Sequence, residues 1–561
     1  MNARRRRWVA AGLALFCVAA ALRVGLAGRQ GLWADEFFSL AIATGHSLEH
    51  HPAGADPSQG DYVETPGPVH PDFYRRFARH QTPPAGPARV ARAVFLSDTN
   101  PPLYYLLLYA WTRATGTGNV ALRLFSALWA VLCFPLVWSM ARQLGGRRAA
   151  LVAGALWALS PACLYYSLEV RMYSLLWFVV VATAWLALRL HRRGTTPLTL
   201  ALWALATAAG FLTHYFFLFV WAPIALWLML RPGNARRARV VVATLVAAGA
   251  VMPWYVRVPE SLSAWRVTRD WLTMYPDGFH PIKAFARTWW DYYSAAGPWS
   301  GWRKPDLVAV VVYGALGLAL MRYLRRPLRA GTTASVGGRL RHAVVGGNRL
   351  LLWMWLAGAL LGPVVFDLAR GTYTRDVSRY ALAGLPAALL LLALALSRLG
   401  ERAAVVWLVL IVIGWGLGLR RIALNTHRGW QRYNDLARTA DDGTDPRTDV
   451  VIVHSVPSGV IGVARTMRSD TPIASWVPQL EQRQVPQSME DLLAGKRRVA
   501  VIYVHGVETP PVQRDWLSRH ARRVGETPQL EAGSITFFEP REGERFFAEG
   551  SGDPTMSEAP K

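Results

Sequence analysis

Residues 4–38 read RRRRWVAAGLALFCVAAALRVGLAGRQGLWADEFF. Four arginines precede the apolar segment Trp8–Ala27, and about 20 residues are enough to cross the hydrocarbon core of a bilayer. Two adjacent carboxylates, Asp35 and Glu36, follow between aromatic residues that suit a membrane–water interface. Because ionised carboxylates at a bilayer edge cost free energy, this pair indicates a functional site on this side of the membrane.

The composition of the whole chain extends this interpretation. Of its 561 residues, 52% are hydrophobic and only 17% are charged, and the apolar residues come in long blocks. This pattern predicts an α-helical, polytopic protein of the cytoplasmic (inner) membrane, surrounded by membrane lipids. The formal net charge of +26 comes largely from arginines that lie between the blocks, as in cytoplasmic loops. We therefore expect no nucleic-acid partner.

The loop charges predict the topology. They place the N-terminus in the cytoplasm and the C-terminal region outside. The segment Leu103–Thr115 is too short to span the membrane. It is predicted to be a helix in the outer interface or against the bundle, since counting it as a span would put every basic loop outside. About eleven spans result, at residues 8–27, 119–141, 148–166, 171–190, 196–212, 214–230, 238–256, 305–323, 350–367, 379–397 and 403–420.

The predicted domains follow from these spans. Residues 1–420 form a transmembrane domain with large outer loops at 28–118 and 257–304, and the aromatic residues of the second loop suit an interfacial helix or an aromatic belt. Residues 421–540 form a small extracytoplasmic α/β domain, and residues 541–561 a disordered tail. In the α/β domain, strands at 449–453, 498–503 and 534–538 alternate with helices at 430–440, 486–494 and 511–522. The turn at 456–459 matches a phosphate loop poorly.

The other candidate site residues all fall on the predicted outer side, where they are expected to bind substrate. Convergence of carboxylates, arginines and tyrosines at one membrane face indicates an outward-facing active site. Each group also has a structural alternative, such as a helix cap, an ion pair, a packed turn residue or a snorkelling arginine. These residues are Asp98, Tyr104, Tyr105, Glu169, Arg171, Tyr173, His214, Arg379 and Tyr380.

A divalent metal ion is the one cofactor that the sequence leaves open. Asp35, Glu36, Asp98 and Glu169 carry the hard oxygen ligands that such ions prefer. No His or Cys spacing requires a metal.

Five short motifs occur in a fixed order along residues 8–400. They are Asp35-Glu36, Pro101-Pro102-Leu103-Tyr104-Tyr105, Arg123-Leu124-Phe125-Ser126, Glu169-x-Arg171-x-Tyr173 and Arg379-Tyr380. Together they resemble the GT-C membrane glycosyltransferases, in particular the protein O-mannosyltransferase and lipid A aminoarabinose transferase group. The resemblance implies a polyprenyl-phosphate-linked sugar as donor and a catalytic role for Asp35. Glu36, the second acid of the pair, is also predicted to be catalytic. The chain departs from the group at Asn100, where relatives often carry His or Lys.

The residues themselves favour the same chemistry. Nucleotide sugars are cytoplasmic, so a transferase that faces outward needs a donor delivered through the bilayer. The phosphate of a lipid-linked sugar leaves readily if cations stabilise its charge, and one carboxylate can act as the base for the acceptor hydroxyl. A single displacement inverts the anomeric configuration, as in inverting glycosidases. The predicted function is therefore an inverting glycosyltransferase (hexosyl- or pentosyltransferase) that acts on a lipid, glycan or protein acceptor.

Two other classes of protein compete with this prediction. A transporter or flippase of a lipid-linked sugar would show repeated halves with broken helices near the midplane, and the sequence shows no matching halves. A membrane sensor would use the C-terminal domain for an outside ligand, which would leave the acidic first loop and the ordered motifs unexplained.

Overall fold

A computed structural model describes the helical body and the C-terminal sheet of the chain. The described residues are 3–49, 54–98, 100–231, 234–264, 281–294, short stretches within 311–318, 348–374, 377–426, 432–477, 488–504, 511–525, 529–530 and 533–546. Within them, seven helices are long and apolar enough to cross a membrane. The α-helical, multi-pass fold predicted from the sequence is thereby confirmed. The predicted span at 305–323 lies largely outside the described residues, so the count of eleven stays a prediction.

The helices of the first 430 residues follow the apolar blocks. They are Ala3–Leu26, Ala34–Ala43, Asp72–Arg75, Pro87–Ser97, Leu103–Thr115, Asn119–Leu159, Pro161–Ser167, Tyr173–Arg193, Pro197–Phe211, Phe217–Met229, Asn234–Tyr255, Val258–Ala264, Pro281–Asp291, Arg349–Arg370, Leu385–Leu396 and Glu401–Leu424, and a 3-10 helix covers Ser378–Gly384. The predicted short helix Leu103–Thr115 has the bounds expected from the sequence. The block at 196–230 forms two shorter apolar helices of 15 and 13 residues.

The continuous helical segment Asn119–Leu159 is a hairpin. Gly146 has a φ of 82°, a conformation that favours glycine because it has no Cβ. The Trp157 indole donates to the carbonyl of Ala130 at 3.0 Å, although a straight helix would separate these residues by about 40 Å. The segment thus turns back at Gly146 into two legs, as the two blocks at 119–141 and 148–166 predict.

The C-terminal region folds around a six-stranded mixed sheet. Its strands are β1 (Val450–His454), β2 (Ile473–Trp476), β3 (Val499–Val504), β4 (Ala521–Val524), β5 (Gln529–Leu530) and β6 (Gly533–Pro540). The strand order is β2-β1-β3-β6-β4, with β5 paired to β6. Strands β1, β2 and β3 are parallel, whereas β6 runs antiparallel to β3. The helices are Tyr433–Gly443, Pro457–Thr466, Met489–Leu493 and Pro511–His520.

The predicted α/β region is confirmed, and several of its details need correction. The turn at 456–459 begins the helix Pro457–Thr466, because proline suits the first helical turn and apolar residues follow it. The helix predicted to end at 522 ends at His520, since Ala521–Val524 pairs with β6. Phe546, inside the predicted disordered tail, packs into the core of the sheet, so ordered structure extends to this residue. Residues 547–561 lie outside the described part.

The chain divides into two compact units. The first comprises Met1–Arg29, Thr99–Leu107 and Val120–Asn425, and the second comprises Gln30–Asp98, Leu108–Asn119 and Thr426–Lys561. Within the second unit, the segment that contains Glu64 and Val69 is joined to the sheet. Val69 pairs with Ile473 of β2, and Glu64 accepts a hydrogen bond from the backbone of Val477 at 2.8 Å.

Candidate functional site

The acidic pair opens a helix in the second unit. Trp33 is extended, and the helix Ala34–Ala43 starts directly after it. The Trp33 N–H donates to Oε2 of Glu36 at 3.2 Å, so Glu36 binds one of the amides that a helix start leaves without an intrahelical partner. Glu36 is fully buried, whereas Asp35 is partly exposed. The two neighbouring carboxylates therefore occupy different environments, and the environment of Asp35 is the more accessible to a substrate.

A third carboxylate, Glu49, interacts electrostatically with both Asp35 and Asp98. Ser97 holds its backbone, because the Ser97 hydroxyl accepts from the N–H of Leu48 at 2.9 Å and from that of Glu49 at 3.3 Å. Burial raises the pKa of Glu49 from 4.5 to about 8, and the charges of Asp98 and Asp35 add to the rise. The structure thus groups two predicted residues, Asp35 and Asp98, around an acid that sequence reasoning missed.

The helix of Asp35 packs against the C-terminal helices of the same unit. The rings of Phe37 and Tyr433 meet edge to face with centroids 5.6 Å apart. A Cβ on Gly462 would lie 3.0 Å from Phe37 and 3.2 Å from Tyr433, so this packing needs glycine or a small displacement. The pKa of Tyr433 is raised well above its usual value by burial and then by the charge of Asp35. These contacts fix the start of the acidic helix.

In the first unit, a buried arginine is paired with a tyrosine. Nη1 of Arg171 donates to the hydroxyl of Tyr105 at 3.1 Å. The Tyr104 hydroxyl lies 2.9 Å from Oγ of Ser126, which ties the short helix Leu103–Thr115 to the following hairpin. Glu169 is buried in the same turn as Arg171. The structure therefore brings together three of the predicted motifs through Tyr104, Tyr105 and Arg171.

Nearby residues of the first unit extend this polar region. Arg123 donates to the carbonyl of Leu168 at 2.6 Å and so holds the start of the Glu169–Tyr173 turn. The ring of Tyr173 packs edge to face against Tyr166 at a centroid distance of 5.4 Å. These contacts give Tyr173 a packing partner and Arg123 a clear positioning role.

In the first unit, an aromatic side chain also links His214 to Tyr380. The Nδ1 atom of His214 accepts from the N–H of Phe216 at 3.0 Å. The Phe216 ring packs against Tyr380 at a centroid distance of 5.6 Å, and the Arg379 guanidinium lies 5.7 Å from the centre of the Tyr380 ring. Phe216, which sequence reasoning missed, is one residue that connects these distant segments.

Aromatic side chains also hold the 3-10 segment that carries Arg379. The Trp177 indole donates to the carbonyl of Leu382 at 2.7 Å, and the Trp355 indole donates to that of Ala383 at 2.7 Å. The Tyr292 hydroxyl donates to the carbonyl of Ala381. An unsatisfied carbonyl is costly in a membrane, so these three donors stabilise the non-α-helical backbone beside Arg379.

Asp367, in the last turn of the helix Arg349–Arg370, has a structural role. Its carboxylate accepts from the Thr372 hydroxyl at 2.6 Å and from the Thr374 backbone at 2.8 Å. Arg375 and Asp376 of the same loop lie outside the described residues. Among the described residues, no group of three or more His, Cys, Asp or Glu side chains is placed to hold a metal ion. Metal dependence stays an open prediction.

Comparison with known proteins identifies the fold class. The chain has the fold of the GT-C membrane glycosyltransferases and resembles them, as the ordered motifs predict. Residues 99–256 match the family model described as dolichyl-phosphate-mannose-protein mannosyltransferase. This region contains Tyr104, Tyr105, Glu169, Arg171, Tyr173 and His214.

Two solved structures share the fold over nearly the whole chain. ArnT from Cupriavidus metallidurans in the apo state is 12% identical, with a TM-score of 0.57 and coverage of 95% of this chain and 98% of that protein. The same protein bound to undecaprenyl phosphate is 15% identical, with a TM-score of 0.54 and coverage of 94% and 97%. No curated protein sequence matches the chain.

Proposed function

We propose that the protein transfers a sugar from a polyprenyl-phosphate donor to a hydroxyl acceptor at the outer face of the cytoplasmic membrane. The observation that carries the proposal is the buried pair of Arg171 and Tyr105 inside the region matched by the mannosyltransferase model. A buried guanidinium offers a phosphate several fixed donors and a permanent positive charge. ArnT, which shares the fold, has been solved with undecaprenyl phosphate bound.

The proposed reaction is a single displacement. Asp35 accepts the proton of the acceptor hydroxyl, whose oxygen then bonds to the anomeric carbon of the sugar. The bond between this carbon and the phosphate oxygen breaks, and polyprenyl phosphate leaves with the electron pair. Cations stabilise the charge on the departing phosphate, and Arg171 and Arg379 are the arginines for which the sequence predicts substrate binding. Attack opposite the leaving group inverts the anomeric configuration.

The different environments of Asp35 and Glu36 support Asp35 as the general base. A general base must reach the proton that it removes, and Asp35 is partly exposed. Glu36 is buried and holds the helix start through the Trp33 amide. We therefore assign catalysis to Asp35 and assign Glu36 the positioning of the helix that carries it.

Release of polyprenyl phosphate by the purified full-length chain tests this proposal. The donor is synthetic polyprenyl-phosphate mannose. The wild-type protein is expected to release polyprenyl phosphate while it forms the glycosylated acceptor. Polyprenyl-phosphate aminoarabinose and arabinose serve as alternative donors. Movement of intact donor between the leaflets of vesicles, without sugar loss from any of the three, would contradict the proposal and favour a flippase.

A further inference from the structure

The carboxyl edge of β1 lies where the strand order of the C-terminal sheet reverses. From β1 the chain passes through the helix Pro457–Thr466 to β2 on one side, and it then returns to β3 on the other side. In open α/β sheets, ligands bind outside the carboxyl ends of the strands at such a reversal. The residues at this position are Ser455 to Ser458, between β1 and the first turn of the helix.

Two hydroxyls at this edge are buried without a hydrogen-bond partner. Ser455 and Ser458 are fully buried, and neither Oγ atom has a partner in the described structure. Val456, at the N-cap of the helix, provides no side-chain cap. A buried hydroxyl without a partner is destabilising, and a ligand that supplies the partner removes this cost.

This edge adjoins the helix that carries Asp35, within the same unit. Residues four apart share one face of an α-helix, so Ser458 lies on the face that carries Gly462. Gly462 packs against Phe37 of the acidic helix and against Tyr433, whose pKa responds to the charge of Asp35. Ser458 is therefore about one helical turn, ~5.4 Å, from the contact with the acidic helix.

We propose that Ser455 and Ser458 bind the acceptor and that the acceptor is a saccharide; this rests on the proposed function, in which Asp35 is the base. Serine hydroxyls donate and accept, which suits the hydroxyls of a sugar. A peptide acceptor would commonly add as a strand to a sheet edge, but β2 already pairs with Val69 on this side. The two hydroxyls therefore favour a compact ligand rich in hydroxyls over an extended peptide.

Replacing Ser458 with Ala tests the proposal in the purified full-length chain. Transfer from synthetic polyprenyl-phosphate mannose is measured against the concentration of octyl glucoside, the saccharide probe. The KM for octyl glucoside should rise about two- to tenfold, the value of one hydrogen bond, while kcat and the KM for the donor stay unchanged. The melting temperature should stay the same or rise, because a buried hydroxyl without a partner is removed. Ser455→Ala should change the KM for octyl glucoside and the melting temperature in the same way.

A control variant and the measured KM for octyl glucoside distinguish failure of the acceptor site from failure of the proposed function. Ser518→Ala removes an exposed hydroxyl from another helix and should change neither constant. An unchanged KM for octyl glucoside in Ser458→Ala, or a lower melting temperature with unchanged KM, overturns the acceptor site. Transfer to a Ser/Thr peptide but not to octyl glucoside also overturns it. Full activity of Asp35→Asn, by contrast, refutes the base of the proposed function.

Discussion

Replacing Asp35 with Asn should abolish most sugar transfer while leaving the fold intact. Asparagine keeps the size and hydrogen-bonding capacity of the side chain but cannot accept the proton of the acceptor. The side chain is partly exposed, so its loss of charge requires little repacking. We therefore expect the effect to fall on the chemical step and not on stability.

Replacing Asp35 should affect the rate of the chemical step, whereas replacing Glu36 should affect the stability of the fold. Removal of a general base typically slows the chemical step by about 100-fold to 10,000-fold. Glu36 is buried and accepts the Trp33 amide, and loss of such a helix-start contact costs about 0.5–2 kcal/mol of stability. Glu36→Ala should thus lower the melting temperature, whereas Asp35→Asn should lower kcat.

The assay compares Asp35→Asn, Glu36→Ala and Glu36→Gln as purified proteins with the same synthetic polyprenyl-phosphate mannose. Release of polyprenyl phosphate gives the rate, binding of the donor is measured separately, and the melting temperature reports the fold. Near-normal transfer by Asp35→Asn would refute the assignment of the base. A larger loss of kcat in Glu36→Gln than in Asp35→Asn would exchange the roles of the two residues.

Three further predictions concern donor binding, pH and topology. Arg171→Ala and Arg379→Ala should each raise the KM for the donor about 10-fold to 100-fold, as expected for a lost charged hydrogen bond. The control Arg370→Ala removes an exposed arginine and should leave this KM unchanged. A wild-type KM for the donor in both Arg171→Ala and Arg379→Ala would place the phosphate elsewhere. The pKa of Glu49 rises from 4.5 to about 8 on folding, so between these pH values the folded state retains a proton that the unfolded state loses. The free energy of unfolding should therefore fall by up to about 1.4 kcal/mol per pH unit between these values and level off above them. Glu49→Gln should flatten this slope in chemical denaturation, and an unchanged slope would contradict the shift. Cysteines placed at positions 60 and 480 should react with an impermeant reagent added outside, and one at position 335 should not; labelling at 335 would contradict the predicted orientation.

The helices were predictable because long apolar blocks have few alternatives in a membrane. The hairpin at Gly146 follows from two such blocks separated by a short polar connection. The short strand Ile473–Trp476 was missed because its four residues gain their stability from parallel pairing with β1, which no local pattern reports. The helix Pro457–Thr466 was missed because Pro-Ser-Gly resembles a turn, although proline also suits a helix start.

The candidate site was predictable in its residue types but not in its contacts. The position of Asp35 after the first span is the basis for its proposed role. The difference in burial between Asp35 and Glu36 becomes visible only in the folded chain. Glu49 gave no local signal, since Ser97 holds it from 48 residues away. The bond between Arg171 and Tyr105 joins segments 66 residues apart and depends on how the helices pack.

The pairing of Val69 with Ile473 imposes an order on the biogenesis of the protein. The ribosome makes the first outer loop early, but the strand that completes it emerges roughly 400 residues later, ~20–80 s at ~5–20 residues per second. In the predicted topology, the loop crosses the membrane during this interval without its partner and is then open to proteases. Truncation anywhere before β2 should therefore leave the acidic loop open to cleavage even when every span has been inserted.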